Sequence, residues 1–262
     1  MQRVDSLAIP TLTIARYVVK GYIKERIFLV ALIFGFALMV ASYVLSPMAV
    51  GAQGKVITDV GLAAISILGI MLVVLLGASS FSRERSGGIL ASILTKPVSR
   101  VEFIMGKYIG TIASVSAVML IMTCLFMLVM LMSHTPIHGM IFTAIYLSVL
   151  EVAMVTALMT LFSSFTSPML CAFFTLCIFV CGHLSKDLLE FAEVFGGAGF
   201  KVAAQIGYYV LPNFSFLNVR TEAVHALPLP DGYVLSVSIY VLFYTLVALF
   251  LGAVIFHRRD VK

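Results

Sequence analysis

Long apolar stretches alternate with short polar ones along the whole chain, and that alternation predicts a bundle of membrane-spanning helices. A span needs roughly 20 apolar residues to cross the hydrocarbon. Six segments meet or approach that length: residues 27–45, 60–82, 108–133, 141–162, 169–184 and 233–256. The third and fourth come from one stretch, Tyr108 to Leu150, with 43 residues and no Asp, Glu, Lys or Arg. That is too long for one span and suits two, and His134, Thr135, Pro136, His138 and Gly139 supply the break. The fifth is short and follows Ser-Phe-Thr-Ser-Pro. The first begins at Ile27 with no cleavage-site pattern before polar sequence resumes, so it is read as an uncleaved span.

Between the second and third runs lies a polar island of 25 residues, Arg83 to Lys107, with seven charged side chains. Such a segment belongs in water. Ser86 suits an N-cap. Ile89, Leu90, Ile93 and Leu94 then share one helical face, and Pro97 stops the helix. A helix this short is marginal alone. Its apolar ridge needs either the membrane surface or a groove on a soluble partner.

Two other segments carry their own patterns. Arg16, Lys20 and Lys24 recur at every fourth residue, with Ala15, Val18, Val19 and Tyr22 on the opposite face. This is an amphipathic helix lying in the membrane surface, or a charged flank of the first span. Residues 185–232 hold a short helical pattern, KDLLEFAEVF, then Gly196, Gly197 and Gly199, then 18 uncharged residues from Val202 to Val219 broken by Pro212 and Asn213. Two readings stand: a re-entrant hairpin covered by protein, or an outer loop packed on the helix ends.

Composition agrees with the pattern. The chain is 61% hydrophobic and 11% charged, with mean hydropathy +1.12. A soluble domain carries about 25% charged residues. Trp is absent, so the 10 tyrosines must supply any interfacial belt. Charge then sets orientation. Thirteen of the 17 Lys and Arg fall in residues 1–26, the island and the C-terminal HRRDVK, and four on the other side. The positive-inside rule places both termini and the island in the cytoplasm. The net charge of +5 is thus accounted for by membrane topology, with no nucleic-acid partner.

Candidate chemistry is sparse. The Gly-Lys pairs 54–55 and 106–107 lack the remaining positions of a phosphate-binding loop, and no H-E-x-x-H or G-x-S-x-G occurs. The chain is read as a non-catalytic subunit. Glu151 is charged within an apolar span, at a cost of about 3 kcal/mol if ionised and alone. It serves either a translocation or proton path, or a hydrogen bond to a Ser or Thr on a neighbouring helix. Cys177 and Cys181, with His183 and Cys171 nearby, and His134 and His138 at the break, offer metal-ligand types. They are also ordinary packing residues, and no metal is assigned.

The island also carries a resemblance. Arg-Glu-Arg-Ser-Gly-Gly, Leu-Thr-Lys-Pro-Val-Ser-Arg and Gly-Lys-Tyr-Ile-Gly resemble the loop before the third helix in ABC transporter permeases of the type-two export family, with Glu84, Gly88, Pro97, Ser99, Arg100, Gly106 and Lys107 matching. Ile89 stands where many members have Thr. Leu-Pro-Asn-Phe from Leu211 and Asn-Val-Arg from Asn218 extend the likeness. Among relatives the chain is most similar to permeases grouped with multi-copper enzyme maturation.

The resemblance implies an all-α membrane protein, a single transmembrane domain over residues 1–262. It has six transmembrane helices, an N-terminal interfacial elbow helix, a cytoplasmic coupling helix within 83–107 and an outer helical hairpin between spans five and six. It implies a bacterial inner-membrane exporter working by alternating access. Two permease copies, a homodimer, pair with two ATP-binding cassette ATPase subunits that bind ATP and Mg; this chain holds no cofactor. Coupling falls to Glu84, Arg85, Gly88, Ile89, Leu90, Ile93, Leu94, Pro97, Arg100 and Lys107. An outer gate falls to Pro212 and Asn213, a path to Glu151, and membrane-surface contact to Arg16, Lys20 and Lys24. Two alternatives remain. One is a scaffold that recruits a cytoplasmic protein. The other is a proton-coupled secondary transporter using Glu151, which the lack of inverted repeats between the halves disfavours.

Overall fold

The computed structural model describes residues 2–23, 26–45, 52–86, 100–195 and 197–258. Among these residues the secondary structure is entirely helical. That is one of two ways to satisfy every backbone group in hydrocarbon. The helices in order are α1 (Gln2–Ile23), α2 (Arg26–Leu45), α3 (Gln53–Ser86), α4 (Arg100–Met132), α5 (Gly139–Ser163), α6 (Pro168–His183), α7 (Ser185–Phe195), α8 (Ala198–Val210), a 3-10 turn (Phe214–Leu217), α9 (Arg220–His225) and α10 (Tyr233–Arg258).

Four of these helices are long and apolar enough to cross a membrane: residues 53–77 of α3, 101–132 of α4, all of α5 and residues 233–255 of α10. A fifth span is possible if α6 and α7, bent by 52° at Leu184, are taken together. The apolar part of α2 is shorter, Leu32–Val44. The chain is therefore a multi-pass membrane protein.

α3 and α5 form the centre. α3 packs on α2, α4, α5, α6 and α9, while α5 also receives α4, α6, α10 and the 3-10 turn. The exposed side of α10 carries Leu235, Ile239, Leu242, Phe243, Leu246 and Phe250. Large apolar side chains facing outward at this density suit lipid, not water. The interior is shape-packed: Ile65, Val73, Leu76, Met119, Met122, Phe126, Val152 and Met159 are all buried.

The helix ends depart from the apolar limits. α3 starts seven residues before position 60 and continues to Ser86, and α4 starts at Arg100. At about 1.5 Å per residue each is roughly 50 Å long, well beyond a hydrocarbon core of about 30 Å. Once a helix is nucleated, each further residue adds a hydrogen bond at little cost. Ser, Arg and Glu are tolerated outside lipid, so polar residues extend both helices. Ser86 is consequently the last residue of α3, not the cap of a following helix. Glu84 and Arg85 fall in the last turn of α3. Gly88, Ile89, Leu90, Ile93, Leu94 and Pro97 lie outside the described residues, as does Lys24.

α1 packs along α4. Gly106 and Gly110, one helical turn apart on α4, allow it. A Cβ on Gly106 would lie 2.9 Å from the Thr11 carbonyl oxygen, and one on Gly110 would lie 2.8 Å from that of Ala15. Small residues at this spacing let two backbones approach. Ala15 and Tyr22 are buried, Arg16 and Lys20 exposed, and the Tyr22 hydroxyl lies 3.4 Å from that of Thr111.

The hydroxyls inside the bundle mostly look after themselves. Thr58, Thr111, Ser114, Ser148, Thr156, Thr160 and Thr175 each donate to the carbonyl four residues earlier in their own helix, at 2.7–2.9 Å. Such bonds remove the penalty for a buried hydroxyl without recruiting a neighbouring helix.

Candidate functional site

The segment from Lys186 to Val219 divides in two. α7 and α8 form an antiparallel pair with Phe191 and Phe200 edge to face, and their outer apolar residues, among them Val194 and Ile206, are exposed. The chain then returns at Pro212 and packs on the end of α6. Gly182 makes this possible, because any Cβ there would strike the Pro212 carbonyl oxygen and the Phe214 ring. Asn213 is buried; its backbone N–H donates to the Tyr240 hydroxyl at 2.9 Å, and its side-chain oxygen accepts from the Ser215 N–H at 3.0 Å, capping the 3-10 turn. The Ser215 hydroxyl donates to the His183 carbonyl at 2.9 Å. Pro212 and Asn213 therefore sit at a tightly packed elbow.

That elbow closes one wall of a cavity of about 360 Å³. α3 contributes Leu62, Ser66 and Ile70, α5 Ala144, Ser148 and Glu151, α6 Phe179 and His183, and the returning chain Leu217 to Arg220. Concave sites of this size with mostly apolar walls and few polar groups are the usual form of a small-molecule pocket.

Glu151 is the buried charge of this cavity. It lies midway along α5 and is 2% exposed. The Ser66 hydroxyl donates to its Oε2 at 2.8 Å. The hydrogen bond to a neighbouring helix that the sequence allowed is therefore present. The second oxygen is different: Oε1 has no hydrogen-bond partner, and the ionisable group facing it is His183, its Nδ1 at 3.7 Å and also without a partner. On the far side of the ring, His183 Nε2 lies 3.3 Å from the Asn218 amide nitrogen. An amide nitrogen can only donate, so Nε2 accepts and the ring proton sits on Nδ1, facing Glu151. Asn218 Oδ1 accepts the Arg220 N–H at 3.4 Å, which agrees with that amide orientation. Arg220 in turn donates from Nε to Asp59 at 2.9 Å, where both side chains are about half exposed.

A polar chain thus runs from the buried carboxylate to a surface ion pair at the mouth. α9 is held over that mouth by this pair and by His138 Nε2, which donates to the Ala223 carbonyl at 2.8 Å. Exposed ion pairs contribute about 0–1 kcal/mol. Arg220→Ala should raise hydrogen exchange over residues 223–225 by up to about fivefold and leave global stability nearly unchanged. An Asp59→Asn background should abolish the increment. Equal exchange with and without Arg220 would show that the ion pair does not hold α9.

Other candidates fall elsewhere. Lys107 is buried at 2% exposure on α4, one residue beyond Gly106, and Arg100 opens that helix. Cys171 is buried and donates to the Met159 carbonyl at 3.3 Å, while Cys124 and Cys181 are exposed. Among the described residues no group of three or more His, Cys, Asp or Glu is arranged to hold a metal ion. Ser66 and Asp59 carry no signal in the sequence, and Asn218 figures there only in the Asn-Val-Arg likeness, with no role attached. Each is an ordinary polar residue there, and only the packing of α3 and α6 against the returning chain brings them to Glu151.

A search of curated proteins returned no match. A family model described as "ABC-2 family transporter protein" matches residues 12–261, from α1 through α10. Members of that family are generally non-catalytic membrane subunits that pair with an ATP-binding cassette ATPase. With its apolar helices and a match over nearly the whole sequence, the chain belongs to the ABC-2 family of transporter proteins, as a transmembrane permease.

Proposed function

We propose that the chain is the membrane subunit of an ATP-driven exporter in a bacterial inner membrane. α2, α3, α4, α5, the bent α6–α7 pair and α10 supply six spans. Both termini and the island at 83–107 face the cytoplasm, in line with thirteen of 17 cationic side chains on that side. Two copies of the chain associate with two ATPase subunits, which bind ATP and Mg. The island presents its Ile89, Leu90, Ile93 and Leu94 face to a groove on the ATPase, between Glu84 and Arg85 at one end and Arg100 at the other. Closure of the ATPases then moves α3 and α4, which flank the island and extend beyond the apolar limits of the membrane. Pro212 and Asn213 gate the outer side, and Glu151 lines the path.

The observation that carries this reading is the family match over residues 12–261. Its test is co-purification. Wild-type permease should bring down an ATP-binding cassette ATPase with nucleotide hydrolysis. The Ile93→Asp, Leu94→Asp double variant should lose at least about 90% of that partner, since two buried charges in a helix-in-groove contact are strongly unfavourable. Equal recovery with the double variant would remove the island from the coupling role. A purified complex without nucleotide hydrolysis would remove the ATP-driven mechanism altogether.

A further inference from the structure

We propose that the cavity around Glu151 binds an amphiphilic organic cation, a protonated amine with an apolar body, and that Glu151 Oε1 is its counter-ion. This deepens the permease reading and rests on it for the meaning of binding, but not for its measurement.

Three observations converge. Glu151 is 2% exposed and uses only one of its two oxygens, leaving Oε1 without a partner. A carboxylate has roughly four lone-pair sites, so Oε1 keeps acceptor capacity even beside His183. Among the lining residues, the groups nearest that oxygen supply no cation: the His183 ring is neutral, its one proton on Nδ1 at 3.7 Å and beyond hydrogen-bond reach of Oε1, and the Arg220 guanidinium is engaged by Asp59 at 2.9 Å. A buried carboxylate in apolar surroundings is costly unless a cation accompanies it.

Size and wall chemistry narrow the class. A cavity of about 360 Å³ is far larger than a bare metal ion requires, and its walls include Leu62, Ile70, Val180 and Leu217. Its ligand therefore has an apolar body. Phe179 also lines the cavity, its ring 5.5 Å from that of His183, so an aromatic side chain shares the cavity with the carboxylate. Aromatic faces attract organic ammonium groups and not anions. An anionic or neutral amphiphile would gain from the walls but would leave Oε1 unsatisfied, or repel it.

The test uses the full chain in lipid nanodiscs, without nucleotide, and phenethylammonium as the probe. Its uncharged counterpart 2-phenylethanol and its anionic counterpart phenylacetate have similar bodies. Calorimetric titration should show phenethylammonium binding at least about tenfold more tightly than either, the scale of one hydrogen bond to a charged group. Glu151→Gln should erase that preference. Ala63 also lines the cavity, and Ala63→Phe, which fills it and leaves the carboxylate intact, should abolish binding of the amine. Equal affinity for amine and alcohol overturns the proposal, as does an unchanged amine affinity in folded Glu151→Gln. Should Glu151→Gln fail to fold, unchanged amine affinity in Ala63→Phe overturns it. Because binding is read without ATP, loss of the ATPase partner leaves this result standing. A working ATP-driven permease with no preference for the amine would sink this inference alone.

Discussion

Gly182→Val should be the most damaging single substitution in the described chain. The new side chain would occupy the space of the Pro212 carbonyl and the Phe214 ring. A flexible side chain could give way, but a backbone carbonyl fixed by the Asn213 and Ser215 hydrogen bonds cannot move without breaking them. Overpacking of this kind costs about 3 kcal/mol or more. The displaced segment also carries Asn218 and Arg220 away from His183, so the cavity loses a wall together with its stability. Thermal unfolding in detergent checks the first consequence and phenethylammonium titration the second. Gly207→Ala on α8 is the control, because nothing lies within 4 Å of a Cβ there. Replacing a helical glycine by alanine should then be neutral or stabilising by up to about 1 kcal/mol. Equal tolerance at both positions would mean that residues 212–219 do not pack on α6 as described.

Gly106→Leu with Gly110→Leu should release α1 from α4. Each side chain would meet a carbonyl oxygen of α1 as well as Ile14 or Val18. Two such contacts one turn apart leave no tilt of α1 that avoids both. At about 2 kcal/mol for the pair the undocked population rises by roughly thirtyfold. Arg16 and Lys20 are exposed on α1 and report the change, since tryptic cleavage after them should accelerate in proportion. Gly21→Ala meets nothing within 4 Å and should cleave at the wild-type rate. Acceleration by the control alone would place the docking surface on a different face.

These two sites also show what could be read in advance. Apolar length alone announces a span, because no other solvent tolerates 43 residues without an acid or base. Glu151 stood out for the same reason. Helix ends did not, because α3 and α4 continue through Ser, Arg and Glu once they leave lipid. Ser86 therefore closes a helix although its residue type suits the start of one. Residues 185–232 admit two readings from sequence, and Gly182 decides how the part from Pro212 packs. That glycine sits among Cys181 and His183 with nothing in its neighbours to mark it, since its partner lies 30 residues on at Pro212. The same distance in sequence hides the cavity. Ser66, Glu151, His183 and Asn218 come from three helices and a loop, with no period that links them.

The hydroxyl pattern inside the bundle has a mechanical consequence. Thr156, Thr160, Ser148 and Thr175 bond within their own helices, so sliding one helix past another breaks none of those bonds. Those hydroxyls leave the interfaces they line to behave as greased bearings, where resistance comes from shape. Ser66 to Glu151 is a cross-bolt through such a bearing, joining the two central helices at mid-height. An amine seated on the free Oε1 would leave this bolt on Oε2 in place, so loading would hang the cargo on the joint that keeps the two central helices in register.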